Sequence, residues 1–211
     1  MTTRSNRRGP GRPRQPIGRD TLLTAARAVF AAHGYAGASL AEIAARAGIQ
    51  KASLLHHFPS KAALYEAAFA QILAALAGLL PAPDVDRPFL DQLDALGHAV
   101  VWYFGAHPDA ARLLLLEIVG NGPVVRSPTW QAVVQLERAI AALFARGMAQ
   151  GALPPQDPAQ LAMSVIGLHL TWFAAGEATR ELTGADPFTP AAIGERAAIA
   201  AVQVRAICRV A

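Results

Sequence analysis

The stretch SLAEIAARAGIQKASLLHHFPSK, Ser39 to Lys61, decides how this chain is read. Ser39 followed by Glu42 fits a capping box. The serine oxygen accepts a first-turn N–H, and the glutamate reaches back to the serine's own N–H. Leu40, Ile43, Ala44 and Ala47 then share one small apolar face. Gly48 supplies a tight turn, and Ile49 plugs that turn into the core. A third helix runs from about Gln50 to His57, with Leu54 as its inward anchor and Phe58 closing the unit. Ser60 caps a fourth helix, which continues through Leu64, Ala68, Ile72 and Leu76 to Pro81. Two short helices joined by a glycine turn and backed by a preceding helix make a helix-turn-helix, here residues 39–58. Ala44 and Ala47 let the third helix cross closely. Lys51, Ser53, His56 and His57 are left facing outward.

Adjacent histidines raise the question of a metal site. Residues i and i+1 point about 100° apart on a helix, so His56 and His57 do not converge on one ion. No other histidine, cysteine or carboxylate stands three or four residues from either. The single cysteine, Cys208, allows neither an internal disulfide framework nor a cysteine metal cluster. No metal and no cofactor is therefore expected.

Outward from this core, RDTLLTAARAVFAAHGY places Leu22, Ala26, Val29, Phe30 and His33 at helical spacing, with Gly34 as a stop. Upstream lies an arginine-rich, proline-rich and glycine-rich arm, expected to be disordered over 1–15. Residues 1–19 hold six arginines and no acid. Net charge is +4 overall, so the remaining residues carry −2 once those six are set aside. The basic character belongs to the arm, not to the body. Gly11-Arg12-Pro13 within RRGPGRPRQP is similar to the core of an AT-hook. Arg12 and Arg14 then either enter an A·T-rich minor groove or simply solubilise the tail.

Downstream, PAPDVDRP links to helical segments at about 88–106, 108–121, 127–150, 157–183 and 190–210. Prolines sit near their starts. No strand alternation and no 20–50-residue repeat is visible. No apolar run is long enough to span a bilayer, and the arginine-rich start lacks a secretory apolar segment. The expectation is a cytoplasmic all-α protein with no membrane association: an N-terminal helix-turn-helix domain over 16–76 and a C-terminal helical bundle over 82–211. Nothing resembles a Ser-His-Asp set, a phosphate-binding glycine loop or a carboxylate pair, so an enzyme is not expected.

The stretch LLTAARAVFAAHGYAGASLAEIAARAGIQKASLLHHFPSKAALYEAAF resembles the DNA-binding domain of the TetR (tetracycline-repressor-like) transcriptional regulators. The shared features are the Ala-Ala pair before Phe30, the Gly34-Tyr35 pair, Ser39 with Ile43-Ala44, the Ala47-Gly48-Ile49 turn, LLHHF, and Ser60-Lys61 with Leu64. The resemblance implies a dimeric repressor that binds a near-palindromic double-stranded DNA operator and is released by a small-molecule inducer. The alternative is an architectural protein that binds A·T-rich DNA through the arm. Ser39, Gln50, Lys51, Ala52, Ser53, Leu55, His56 and His57 would lie against DNA, and Lys61 would contact a backbone phosphate. The family usually has serine or threonine where Gln50 stands, and very often tyrosine where Leu55 stands. Leucine donates no hydrogen bond, so its contact would be an apolar touch on a thymine methyl. Phosphate charge favours imidazolium, so operator binding is expected to tighten from about pH 8 to about pH 6.

The family also implies a homodimer through the last two long helices and a ligand pocket in the C-terminal domain. Candidates are polar and aromatic residues on otherwise apolar helices: His98, Trp102, Tyr103, Glu117, Trp130, His169, Trp172 and Phe173. Each is either a ligand contact or a core or interface residue. Glu117 within RLLLLEIVG needs a partner, whether Arg112, Arg138 or a cationic or hydroxylated ligand. It could equally face solvent or a dimer partner.

Overall fold

The computed structural model describes residues 18–82, 84, 86–120 and 122–208. All regular structure among them is helical. In order come α1 (Arg19–Gly37), α2 (Leu40–Arg46), α3 (Lys51–His57), α4 (Lys61–Ala77), α5 (Phe89–Ala106), α6 (Pro108–Gly120), α7 (Trp130–Ala149), α8 (Pro158–Ala174), α9 (Gly176–Thr183) and α10 (Pro190–Cys208). A single 3₁₀ turn, Val124–Arg126, precedes α7.

The first four helices pack around Leu22, Phe30, Ile43, Leu54, Leu64 and Phe69, each fully buried. The same apolar cluster continues without a break into Val101, Phe104, Phe173 and Ala200. A second cluster joins Phe89, Phe144, Leu161 and Val204 at the far end of the C-terminal helices.

Polar ties reinforce the junction. The Arg27 guanidinium of α1, almost wholly buried, donates to Asp109 at 3.0 Å and to Gln71 at 2.9 Å. This ties α1 to the first turn of α6 and to α4. The Tyr65 hydroxyl of α4 donates to Glu117 of α6 at 2.7 Å.

Three local expectations change. Ser39 does accept the Glu42 N–H at 3.0 Å. The Glu42 carboxylate, however, pairs with His33 Nε2 at 3.0 Å instead of returning to Ser39. A neighbouring helix thus offers the glutamate a better partner than its own cap. Gly34 breaks the helix with a positive φ of 67°, yet one more helical turn follows, to Gly37.

The segment 157–183 is two helices, not one, bent by 81° after α8. Gly176 lies against the Phe188 ring so closely that a Cβ there would sit 2.5 Å from it. The Trp172 carbonyl, near the end of α8, instead accepts the Thr179 hydroxyl at 2.9 Å. A side chain from the next helix thus satisfies the break.

Candidate nucleic-acid interface and regulatory cavity

The tight turn before α3 is made by Gly48 at φ 71°. That angle is easy for glycine and strained for other residues. Leu54 and Phe58, four residues apart, are buried and pin one edge of α3 to the core. The opposite side stands in solvent. Gln50, Lys51, Ala52, Ser53, Leu55, His56 and His57 are all exposed, as is Ser39 at the start of α2. Gln50 occupies the N-cap of α3 and makes no side-chain cap bond. Leu55 is 37% exposed, an apolar side chain presented to solvent from the middle of the helix. The two imidazoles lie 6.1 Å apart at 75°. Among the described residues no three His, Cys, Asp or Glu side chains gather as a metal site.

Lys61 is half-buried. Its ammonium donates to the Ala36 carbonyl at 3.0 Å and lies 4.8 Å from the Tyr35 ring centre. It bridges the end of α1 to the start of α4. Arg19, which in the sequence adds only to the arm's charge, has a defined place in the fold. Its guanidinium sits 4.7 Å above the Phe58 ring, beside the C-terminal end of α3. Arg12 and Arg14 lie outside the described residues.

Among the C-terminal helices a cavity of about 130 Å³ is bounded by Leu73 and Leu76 near the end of α4, by Leu80 just beyond it, and by side chains of α5, α6, α7, α8 and α10. Its lining is apolar apart from Asp94, Glu137 and His169. His169 is 5% exposed. Its Nδ1 lies 2.8 Å from the Val165 carbonyl, which can only accept, so Nδ1 carries the proton. Burial holds this imidazole below the usual histidine range, and it is neutral near pH 7. The other nitrogen, Nε2, is buried without a partner. Burial also raises the Glu137 carboxyl above its ordinary range. Asp94 is paired with Arg205, whose Nε lies 3.0 Å from Asp94 Oδ1.

His169 is the pocket candidate that lines this cavity. Trp102 donates to His98 at 3.0 Å, and both lie on an exposed face of α5. Tyr103 packs at 5.0 Å on His107, and Trp130 packs against the main core. Phe173 is core, 6.3 Å from Phe104. Trp172 lies 4.5 Å beneath the Arg196 guanidinium. Glu117 has no exposure at all. Its partners are neither Arg112 nor Arg138 but the Tyr65 hydroxyl and the Val125 N–H, the latter at 2.8 Å.

Asp94 and Glu137 line the cavity although neither stands among the sequence candidates. For Glu137 a signal existed: Val133, Leu136, Ile140 and Phe144 form an apolar stripe at helical spacing, and Glu137 stands on it. Asp94 carried no such signal, because neighbouring Asp91 makes it read as solvated surface.

Residues 22–68 match the profile of the bacterial regulatory proteins, tetR family, and residues 90–204 match that of the tetracyclin repressor-like C-terminal domain. The HTH-type transcriptional regulator RutR of Escherichia coli (strain K12) is 32% identical over 140 residues. That stretch is 66% of this chain and 66% of RutR, just short of two thirds. Two solved structures share the fold. AibR in complex with isovaleryl coenzyme A and operator DNA superposes with a TM-score of 0.67 at 21% identity, covering 88% of this chain and 96% of AibR. The fatty acid degradation regulator FadR from Bacillus halodurans gives 0.65 at 16% identity, covering 87% of this chain and 98% of FadR.

Proposed function

Because the chain belongs to the tetR family of bacterial regulatory proteins, we propose that this transcriptional regulator acts as a cytoplasmic dimeric repressor. It holds a near-palindromic operator and lets go when a small apolar ligand fills the cavity. The observation that carries this is α3, with Leu54 and Phe58 locked in the core and its entire opposite side exposed. A major groove about 12 Å wide admits one such helix. Lys51 donates to guanine O6 or N7. Ser53, His56 and His57 reach bases or phosphates, and Leu55 touches a thymine methyl. Lys61 is released from Ala36 to a backbone phosphate, and Ser39 with the first N–H groups of α2 meets another.

One reading helix gives limited specificity, so two copies act together. The exposed side of α8 and α10 suits the dimer contact. It carries Met163, Ile199 and Val202, each 43% exposed or more, and Gly167 and Gly194 have open space around them. In this reading residues 16–76 contact DNA and 82–211 dimerise and sense. The cavity wall includes the end of α4, the helix whose other end follows α3. A ligand that fits better when α4 is displaced moves the two α3 helices off the spacing of about 34 Å that one DNA turn demands. AibR, a protein of this fold bound to both a ligand and operator DNA, supports a chain of this shape holding both.

Enrichment of bound duplexes from a random-sequence library tests the reading. One motif with two-fold symmetry is expected. Enrichment of A·T-rich DNA without symmetry would replace it with arm-driven architectural binding.

A further inference from the structure

The cavity has more acceptors than a carboxylate ligand could tolerate. Three polar side chains line it, and none is a lysine or arginine. The neutral His169, whose ring lines the cavity, keeps its Nε2 lone pair buried with no partner. Glu137 makes no ion pair among the described residues. Asp94 has Arg205. The charge of that pair is spent, and Arg205 does not line the cavity. Arg196 is engaged elsewhere, by the Leu168 carbonyl, by Gln203 and by the Trp172 ring. Burial foremost, with the positive charge of Arg196 adding to it, disfavours protonation of His169 and keeps Nε2 an acceptor.

We propose that this cavity takes an apolar molecule with a hydrogen-bond-donating head, an amine foremost and an alcohol second, and excludes carboxylates. The inference rests on the cavity being the effector site. An ammonium or hydroxyl donates to His169 Nε2, and an ammonium also neutralises the lone Glu137 carboxylate. A carboxylate head finds no donor and adds a second anion to a site of low dielectric. Unpaired buried polar groups discriminate strongly against a ligand that cannot satisfy them, so the selection is steep.

Gly97 gives a gentle way to cover the lone pair. A Cβ there would lie 3.6 Å from His169 Nε2, an ordinary contact, so Gly97→Ala folds and masks the acceptor.

Calorimetric titration of the full-length protein with decylammonium, decan-1-ol and decanoate, one chain length with three heads, tests the proposal. Decylammonium is expected to bind at least about tenfold tighter than decanoate, with decan-1-ol between them. Gly97→Ala weakens amine and alcohol alike, and Glu137→Gln removes the amine's advantage over the alcohol. Decanoate binding as tightly as decylammonium overturns the proposal, and so does the absence of binding by all three. Each probe is also added to the protein on a library-enriched duplex. Selective amine binding that leaves the duplex bound supports the ligand class and removes the release mechanism. Decanoate binding that does release the duplex keeps the mechanism and removes the class.

Discussion

The helix-turn-helix unit and the helices that enclose the cavity place the same side chain in opposite settings. His56 and His57 stand in solvent on α3. His169 is buried and held neutral, and its value is an unprotonated nitrogen. The helix-turn-helix half carries its polar side chains on the outside of an alanine-rich part of the main core. The regulatory half keeps its chemistry inside, where each polar atom must be matched or left deliberately open to a ligand. Substitutions on the exposed side of α3 should change affinity for DNA with little change in stability. Those in the regulatory half should change stability or ligand response first.

The largest expected break is at Gly122. A Cβ there would overlap Glu117 Oε2 and displace a buried carboxylate from the Tyr65 hydroxyl and the Val125 N–H. Gly122→Ala should cost about 2–4 kcal/mol, through overpacking and lost hydrogen bonds. At about 2–4 °C per kcal/mol for a chain this long, calorimetry should show Tm falling by at least about 4 °C.

Tyr65→Phe comes next. It removes one donor from the same carboxylate and should cost about 1–3 kcal/mol in denaturant melts. Burial, and then Glu117, push the Tyr65 hydroxyl above the usual tyrosine range. Its contribution is therefore intact below about pH 10 and is lost as pH rises above that.

Ser39→Ala loses the cap of α2 and should cost about 1 kcal/mol. Because α2 orients α3, duplex affinity should fall as well, while decylammonium affinity stays unchanged.

The smallest effect is a pH dependence of stability. His169 is depressed in the fold, so the stability it contributes is present above about pH 6.5 and lost as pH falls. Melts measured from about pH 6 to about pH 8 should therefore show Tm falling toward the acid end, and His169→Leu should flatten that slope.

The contrast also explains what could be read from the chain before its fold was known. The α2–α3 unit is local: Ser39, Gly48, Leu54 and Phe58 act within twenty residues of one another, so their spacing carries the geometry. The cavity is not local. Glu117 and Glu137 both stand on apolar helical stripes, and only packing against α4 and the 3₁₀ turn makes one a structural tie and leaves the other beside open space. His169 was singled out for its polarity among apolar neighbours, whereas His98 and Trp102 met the same criterion and satisfy each other at the surface. The bend before α9 depends on Phe188 and Thr179, which act on Gly176 and Trp172 across the break. An alanine-rich, continuous helical pattern conceals it.

The central claim is that the exposed side of α3 reads DNA. Its most direct test is the affinity of the triple variant Lys51→Ala, Ser53→Ala, His57→Ala for the library-enriched duplex, by fluorescence anisotropy. Each specific contact contributes about 1–3 kcal/mol, so the three together predict a loss of at least about 100-fold with Tm unchanged. A folded triple variant that binds the duplex as tightly as the parent would contradict the account.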